Sequence, residues 1–286
     1  MADIRKIRGR IKGVENIGRI TRAMEMIAAS KMRKAQERGL AGRPYSEKIE
    51  QVIADLAALP ETSLAHPLLE WREAEKITII MVTPDRGLCG GLNANLNREL
   101  SSYVLKIPNK TVEVVAVGKK GRDFARRSGL NLVAEFTALG DAPAFLDTLP
   151  ISHIAIDDYT TGKTDRVVVC YAQFISTLTQ KPLMKQLLPV EPAVMTAGAN
   201  LEYLYEPNAG EVLGTLLPRF VEMEIYHAIL EGIASEQSAR MVAMRNAEES
   251  AAELLDELRL LYNKARQEAI TTELLDITGG VSALEG

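Results

Sequence analysis

Apolar residues recur along the last third of the chain at alternating spacings of three and four. The pattern runs from about Gly210 to Asp276 without a shift of register. Its positions are Leu213, Leu216, Phe220, Met223, His227, Leu230, Ala234, Gln237, Met241, Met244, Glu248, Ala251, Leu255, Leu258, Tyr262, Ala265 and Ala269. This heptad pattern predicts a left-handed coiled-coil helix. At roughly 1.5 Å per residue the helix is on the order of 95 Å long, so a partner must lie along it.

The amino-terminal residues show a second helical pattern. Its first apolar positions are Ile4, Ile7, Ile11 and Val14. After an extra step of three, a stammer that overwinds a coiled coil locally, the same face continues through Ile17, Ile20, Met24 and Ile27. Further apolar positions follow at Ala28, Met32 and Ala35, and another run begins after Pro44. We expect Pro60 to end this second long helix.

Between the two helices the sequence alternates between strand and helix patterns. Predicted strands are Lys76–Val82, 112–117, 131–136 and 166–171, and predicted helices are Leu92–Leu105, 119–128 and 143–159. Edge strands are expected within 174–190 and 201–205, and the last helix is expected to begin or to bend at Pro218. Alternation of this kind favours a parallel α/β sheet. The predicted fold class is therefore α/β: a long antiparallel coiled coil of the N- and C-terminal helices (1–60 and 209–286) with a small inserted Rossmann-like domain (61–208).

Charge is distributed unevenly and supports pairing of the two ends. Residues 1–43 carry twelve Lys or Arg against four Asp or Glu, whereas residues 210–286 carry six against fourteen. Because the two helices differ in charge and register, pairing within one chain is favoured over a homodimeric scaffold. The polar positions Gln237 and Glu248 in the heptad pattern either fix the register or lie exposed where the partner helix has ended. His227, in the same pattern, is interpreted as a packed polar residue.

The segment most typical of an enzyme is Thr83–Asn93, a glycine-rich loop that follows a strand and opens a helix. Backbone amides there could hold a phosphate, but the spacing matches neither dinucleotide-binding nor P-loop motifs, so a structural turn is favoured. Cys89 has no His near it in sequence, and His66, His153 and His227 have no ligand spacing. We therefore expect no catalytic residue, cofactor or metal site.

Interactions with nucleic acid or lipid are also not expected. The basic segment 5–12 lacks interleaved aromatic residues in an acidic chain, which favours a helix surface that faces acidic protein. No apolar run reaches the ~18–20 residues that span a bilayer. The expected location is cytoplasmic, and any membrane association is expected to be indirect.

Three stretches together resemble the gamma subunit of F-type ATP synthases. They are 10–36 (RIKGVENIGRITRAMEMIAASKMRKAQ), 85–93 (DRGLCGGLN) and 262–280 (YNKARQEAITTELLDITGG). The resemblance spans nearly the whole chain in the order of the family. Gly13, Gly18 and Gly280 depart from its usual residues, and the chain has no cysteine-bearing insertion of the kind that makes chloroplast members thiol-regulated.

The resemblance implies a rotor shaft that is not itself catalytic. The paired helices would turn inside a ring of three alpha and three beta subunits, with the α/β domain near the epsilon subunit and the c-ring, and so couple proton flow to ATP synthesis. It also implies a peripheral position on the cytoplasmic face of the cell membrane. Coupling contacts carry over to Met24, Arg240, Arg266, Gln267, Thr271 and Glu273. The alternative is an α/β enzyme with coiled-coil arms that binds a phosphate-containing ligand.

Overall fold

A computed structural model describes residues 2–57, 66–191, 206 and 208–285. Two long helices, α1 (Ala2–Ala57) and α5 (Ala209–Glu285), flank a five-stranded sheet. The strands are β1 (Lys76–Val82), β2 (Thr111–Val117), β3 (Asn131–Phe136), β4 (Arg166–Phe174) and β5 (Gln180–Leu188), and the shorter helices are α2 (Leu92–Leu105), α3 (Lys119–Arg127) and α4 (Phe145–Thr160). A short 3-10 helix occupies Pro67–Leu69. The predicted fold class and the main strands are confirmed.

The sheet has the order β3-β2-β1-β4-β5. The first four strands are parallel, and β5 pairs with β4 in the antiparallel sense. Strand β1 is central and buried along nearly its whole length because both faces of the sheet are covered. One face, with Ile79, packs against α2 and α3, and the other, with Ile80, packs against α4, α5 and part of α1.

Residues 2–28 and 241–285 belong to one compact unit, in which α1 and α5 are antiparallel. The heptad pattern of α5 is confirmed here: from Ala251 onward, every described residue that is not exposed lies at one of its positions. Among the side chains described in this unit, three ion pairs join the helices: Arg22 with Glu248, Glu25 with Arg245, and Glu15 with Arg259. Glu248 therefore lies within the paired region, and the expectation that it lies where the partner helix ends is wrong.

The predicted stammer in α1 is also wrong. The face that meets α5 continues in unbroken heptads through Gly18, Thr21, Glu25 and Ala28, which are buried or half-buried. An ideal Cβ at Gly18 would lie 3.9 Å from the Ala251 Cβ, so the helices approach closely at this position. Ile17, Ile20 and Ile27, which the sequence pattern places in the interface, are 53%, 58% and 54% exposed.

Residues 29–240 form the second unit, in which α5 is buried on two sides. Besides its heptad positions, a row spaced by four residues packs in the core with the sheet: Leu217, Val221, Ile225, Ile229 and Ile233. Helix α5 begins at Ala209, so Pro218 lies inside it rather than in its first turn. The predicted strand at 201–205 and the helix end at Pro60 lie outside the described residues.

A substitution at Gly118 tests the close backbone packing between the end of β2 and the start of α3. It joins β2 to α3 with φ 98° and ψ 148°, and a Cβ there would overlap the Thr83 carbonyl group. We expect Gly118→Ala to lower the free energy of unfolding by about 3 kcal/mol, since the backbone is strained for any other residue and cannot move away. Urea denaturation measures the change.

The control for this experiment is Gly13→Ala. Gly13 lies in α1, and a Cβ there would have no neighbour within 4 Å. We expect the control to stabilise the chain by up to about 1 kcal/mol. Equal stability of the two variants would contradict the geometry at Gly118.

Candidate functional site

An apolar row lies on the outer side of α1, next to the face that packs on α5. We call Ile17, Ile20, Met24 and Ile27 the outer row. The three isoleucines are more than half exposed, and Met24 is half-buried. Four large apolar side chains in line along one helix form an exposed apolar surface, and such surfaces are typical of protein–protein contacts. Sequence reasoning identified Met24 but placed its neighbours in the wrong interface.

Basic side chains are exposed on α1 before the outer row and beside it. Those at Arg5, Lys6, Arg8, Arg10, Lys12, Arg19 and Arg22 are all exposed. In two of the three ion pairs that join the helices in this unit, the cation comes from α5 and the carboxylate from α1. The positive charge of α1 therefore points mainly outward and can meet acidic surfaces of a partner.

The last described part of α5 is a second exposed surface. Every residue from Ile270 to Gly279 is exposed, and Ala269 is the last half-buried heptad position. Arg266, Gln267, Thr271 and Glu273 are all exposed, and the Thr271 hydroxyl donates a hydrogen bond to the Gln267 carbonyl. The sequence analysis missed the apolar residues of this second surface. These are Ile270, Leu274, Leu275 and Ile277, which are 48–65% exposed.

Arg240 differs from the other candidate residues because its contacts are internal. Its side chain is 11% exposed. It donates hydrogen bonds to the Glu236 carboxylate (2.7 Å) and to the Gly87 carbonyl (3.2 Å). Burial raises the pKa of Glu236, although Arg240 acts in the opposite direction. Arg240 therefore holds the Thr83–Asn93 loop against α5.

The crevice at the carboxyl ends of the strands is occupied by α5. Doubly wound folds bind ligands in this crevice, at the point where strand order reverses, here between β1 and β4. Ser235 donates a hydrogen bond to the Ala172 carbonyl at the end of β4, and Arg240 donates to the loop after β1. Asp85 and Asp141 lie close enough to raise the pKa of Glu236. A filled, carboxylate-rich crevice does not suit a phosphate, so the alternative of a phosphate-binding enzyme is wrong.

Cys89 lies in the same loop and has the environment of a structural thiol. It is 1% exposed, and burial raises its pKa. Cys170 is fully buried, and burial raises its pKa to about 12. Nucleophilic cysteines are instead partly exposed and have lowered pKa values.

A thiol reagent tests this environment. We expect a maleimide at neutral pH to label the native chain very slowly, because the reagent reacts with thiolates and neither buried thiol ionises near that pH. The same reagent should label both cysteines rapidly in denaturant, which is the control. Rapid labelling of the native chain, assigned to Cys89 by mass spectrometry, would contradict the burial.

Neither a metal site nor a membrane span is found among the described residues. No group of three or more His, Cys, Asp or Glu side chains there is placed to hold a metal ion. No helix in the same part of the chain is both long enough and apolar enough to cross a bilayer.

The chain is similar to known proteins along its whole length. The sequence profile of the ATP synthase family matches residues 3–284. The ATP synthase gamma chain of Dehalococcoides mccartyi (strain ATCC BAA-2266) is 62% identical over 99% of this chain and all of that relative. The gamma chain of Roseiflexus castenholzii is 50% identical over 99% of both chains. Among solved structures, a chain of the Euglena gracilis mitochondrial ATP synthase has a TM-score of 0.67 at 19% identity, covering 99% of this chain and 95% of that one, which supports the fold.

Proposed function

Because this chain belongs to the family of ATP synthase gamma chains, we propose that it is the central rotor shaft of a rotary ATP synthase. In this role it transmits torque between a membrane c-ring and a ring of alpha and beta subunits, and so couples proton flow to ATP synthesis. Its partners are the alpha, beta and epsilon subunits and the c-ring. The chain contacts the membrane indirectly, through the c-ring.

The antiparallel pair of α1 and α5 is the observation that carries this proposal. Its heptad positions are buried between the two helices, while the outer row and the basic side chains of α1 face outward. Two helices packed along their length resist bending and twisting better than a single helix. A single row of apolar side chains on a helix with many charged residues gives a contact surface that a partner can release, since burial of one side chain contributes only about 1.5–3 kcal/mol.

The candidate coupling residues have different positions in this proposal. Met24 contacts the beta subunits as part of the outer row, and Arg266, Gln267, Thr271 and Glu273 contact the ring from the exposed end of α5. Arg240 acts from within, through the loop that it holds. Nucleotide chemistry belongs to the beta subunits and not to this chain, which lies on the cytoplasmic face of the membrane.

Purification of the complex from native membranes tests the proposal. An affinity tag on the beta subunit should recover this chain with alpha, beta and epsilon subunits, at one copy for every three beta subunits. Mass spectrometry of the intact complex measures the ratio. Recovery of the alpha and beta subunits without this chain, or with it at equal copy number, would contradict the shaft.

A further inference from the structure

One short segment of α5, Ser235–Arg240, forms hydrogen bonds at or just beyond the carboxyl ends of β1, β3 and β4. Ser235 donates to the Ala172 carbonyl of β4 (2.8 Å), and Ser238 donates to the Thr177 carbonyl just beyond β4 (2.7 Å). The Gln237 amide donates to Asp141, in the loop after β3 (3.1 Å). Arg240 donates to the Gly87 carbonyl in the loop after β1 (3.2 Å). These hydrogen bonds all lie at the carboxyl edge of the sheet.

Asp141 adds α1 to the same set of contacts. Its second carboxylate oxygen accepts a hydrogen bond from the Lys31 ammonium group at 2.6 Å. The loop that carries Asp141 is itself tied to the sheet, because the Ala138 amide donates to Asp85 (2.9 Å). Asp85 also accepts from the Lys119 amide at 2.9 Å. Two carboxylates, Asp141 and Asp85, thus link both long helices to the ends of β1, β2 and β3.

The backbone next to the Arg240 contact is strained. Leu88 follows Gly87 directly and has φ 63°, a left-handed conformation that residues with a side chain rarely adopt. Its side chain is 63% exposed, so packing does not hold it in place. Such a conformation persists only where the surroundings determine it, and the Arg240 hydrogen bond to the preceding carbonyl is one of the contacts that hold this loop.

We propose that Ser235–Arg240, with Asp141 and Lys31, is a torsional joint between the α/β domain and the long helices, and that Arg240 and Asp141 are its positioning residues. Torque that enters the α/β domain passes through this joint into α5 and α1. The proposal rests on the rotor function proposed above, and it assigns Arg240 an internal role instead of direct contact with a beta subunit.

The chemistry of the joint suits this role. The apolar core between α5 and the sheet is held by a non-directional force, so it resists separation more than sliding. Hydrogen bonds weaken steeply when their angle departs from linearity, so a set of them along one edge resists rotation of the helix against the sheet. Arg240 adds a charged and nearly buried donor, which makes its bonds stronger than neutral ones.

Arg240→Met, compared with the double variant that also carries Glu236→Gln, separates a positioning role of Arg240 from its effect on stability. The single variant leaves the Glu236 carboxylate buried without its cation, so both stability and coupling should fall. In the double variant Glu236→Gln with Arg240→Met the buried charge is gone, and stability should return. We expect proton pumping per ATP hydrolysed to stay at least about fivefold below that of the unmodified complex in the double variant, because the Gly87 carbonyl still lacks its donor.

The outcomes of this experiment decide the proposal. Recovery of both stability and pumping in the double variant would overturn it, since Arg240 would then serve only to neutralise Glu236. The matched control is Arg126→Gln, which removes an exposed ion pair with Glu135 on the far side of the sheet and should leave pumping unchanged. If Arg126→Gln lowers pumping equally, the joint has no special role.

Substitution of Asp141 gives an independent test of the joint, through the hydrogen bonds that it accepts from Lys31 and Gln237. Asp141→Ala removes the acceptor for both Lys31 and Gln237, whereas Asp141→Asn keeps an oxygen that can accept. We expect Asp141→Ala to lower the pumping ratio and Asp141→Asn to restore most of it. Equal ratios for Asp141→Ala and the unmodified chain would overturn the role of Asp141. These ratios are measured in complexes that contain the chain, so failure of the joint is distinguishable from failure of the rotor assignment, which is decided by co-purification.

Discussion

Met24→Lys is expected to lower proton pumping per ATP hydrolysed by at least about fivefold, while ATP hydrolysis persists. Met24 lies between the exposed residues Ile20 and Ile27 of the outer row, so a lysine there places a charge in the apolar contact that we propose with the ring. The charge must then be desolvated or hold the contact apart, and either effect disturbs the coupling of shaft angle to the beta sites. Pumping and hydrolysis are measured together in membrane vesicles.

Met26→Lys is the matched control for this prediction. Met26 is 61% exposed and lies in line with Arg19 and Arg22, outside the outer row. The same substitution there adds a charge to a surface that is already basic, and the pumping ratio should remain near that of the unmodified complex. Both isolated variants should denature at the same urea concentration. An unchanged ratio in Met24→Lys, or equal losses in both variants, would contradict the role of the outer row.

The second large effect is expected at Ala28. This residue is 1% exposed in the face of α1 that packs on α5, so Ala28→Asp buries a charge without a partner. We expect the free energy of unfolding to fall by about 3–5 kcal/mol. Ile27→Asp, one residue away and 54% exposed in the isolated chain, should leave that stability nearly unchanged. Urea denaturation of the two isolated chains measures the difference.

This pair of variants also decides between the two registers of α1. The stammer predicted from sequence places both Ile27 and Ala28 in the interface, whereas the structure places only Ala28 there. Greater destabilisation by Ile27→Asp than by Ala28→Asp would contradict the register of the structure. Circular dichroism at low denaturant shows whether either variant loses helix before the main transition.

The hydrophobic pattern predicted those helices and strands whose bounds are determined by apolar residues alone. Strands β1 and β3 and helix α2 have the predicted bounds. Strand β1 is a buried parallel strand and therefore a continuous apolar run, whereas β3 is half-exposed and its residues alternate between exposed and half-buried. The buried heptad positions of α5 beyond Met241 were also predicted, since only one face of the helix is buried there.

The register of α1 was not predicted, for a physical reason. Its interface passes through Gly18, Thr21 and Glu25, where two helices approach closely and small or polar residues fit. Exposed isoleucines on the neighbouring face have the same spacing as a buried interface, and we propose that they contact a partner subunit. A pattern of apolar residues does not distinguish burial within a chain from burial between chains.

Contacts between distant parts of the chain also escaped prediction. Arg240 and Gly87 are far apart in sequence, and no periodicity indicates that α5 fills the crevice of the sheet. The row of α5 that faces the sheet is spaced by four residues and runs beside the heptad positions. The heptad pattern therefore conceals this second row in the sequence. The candidate residues near the end of α5 came from family resemblance and remain predictions.

Rotation of this chain inside the assembled complex tests the account most directly. Leu105 is 78% exposed and both native cysteines are buried, so Leu105→Cys offers a selective position for a probe on the α/β domain. With the complex fixed to a surface through its beta subunits, addition of ATP should turn the probe in one direction, with a pause for each beta subunit in every turn. ATP hydrolysis at the normal rate with a stationary probe would contradict the rotor shaft.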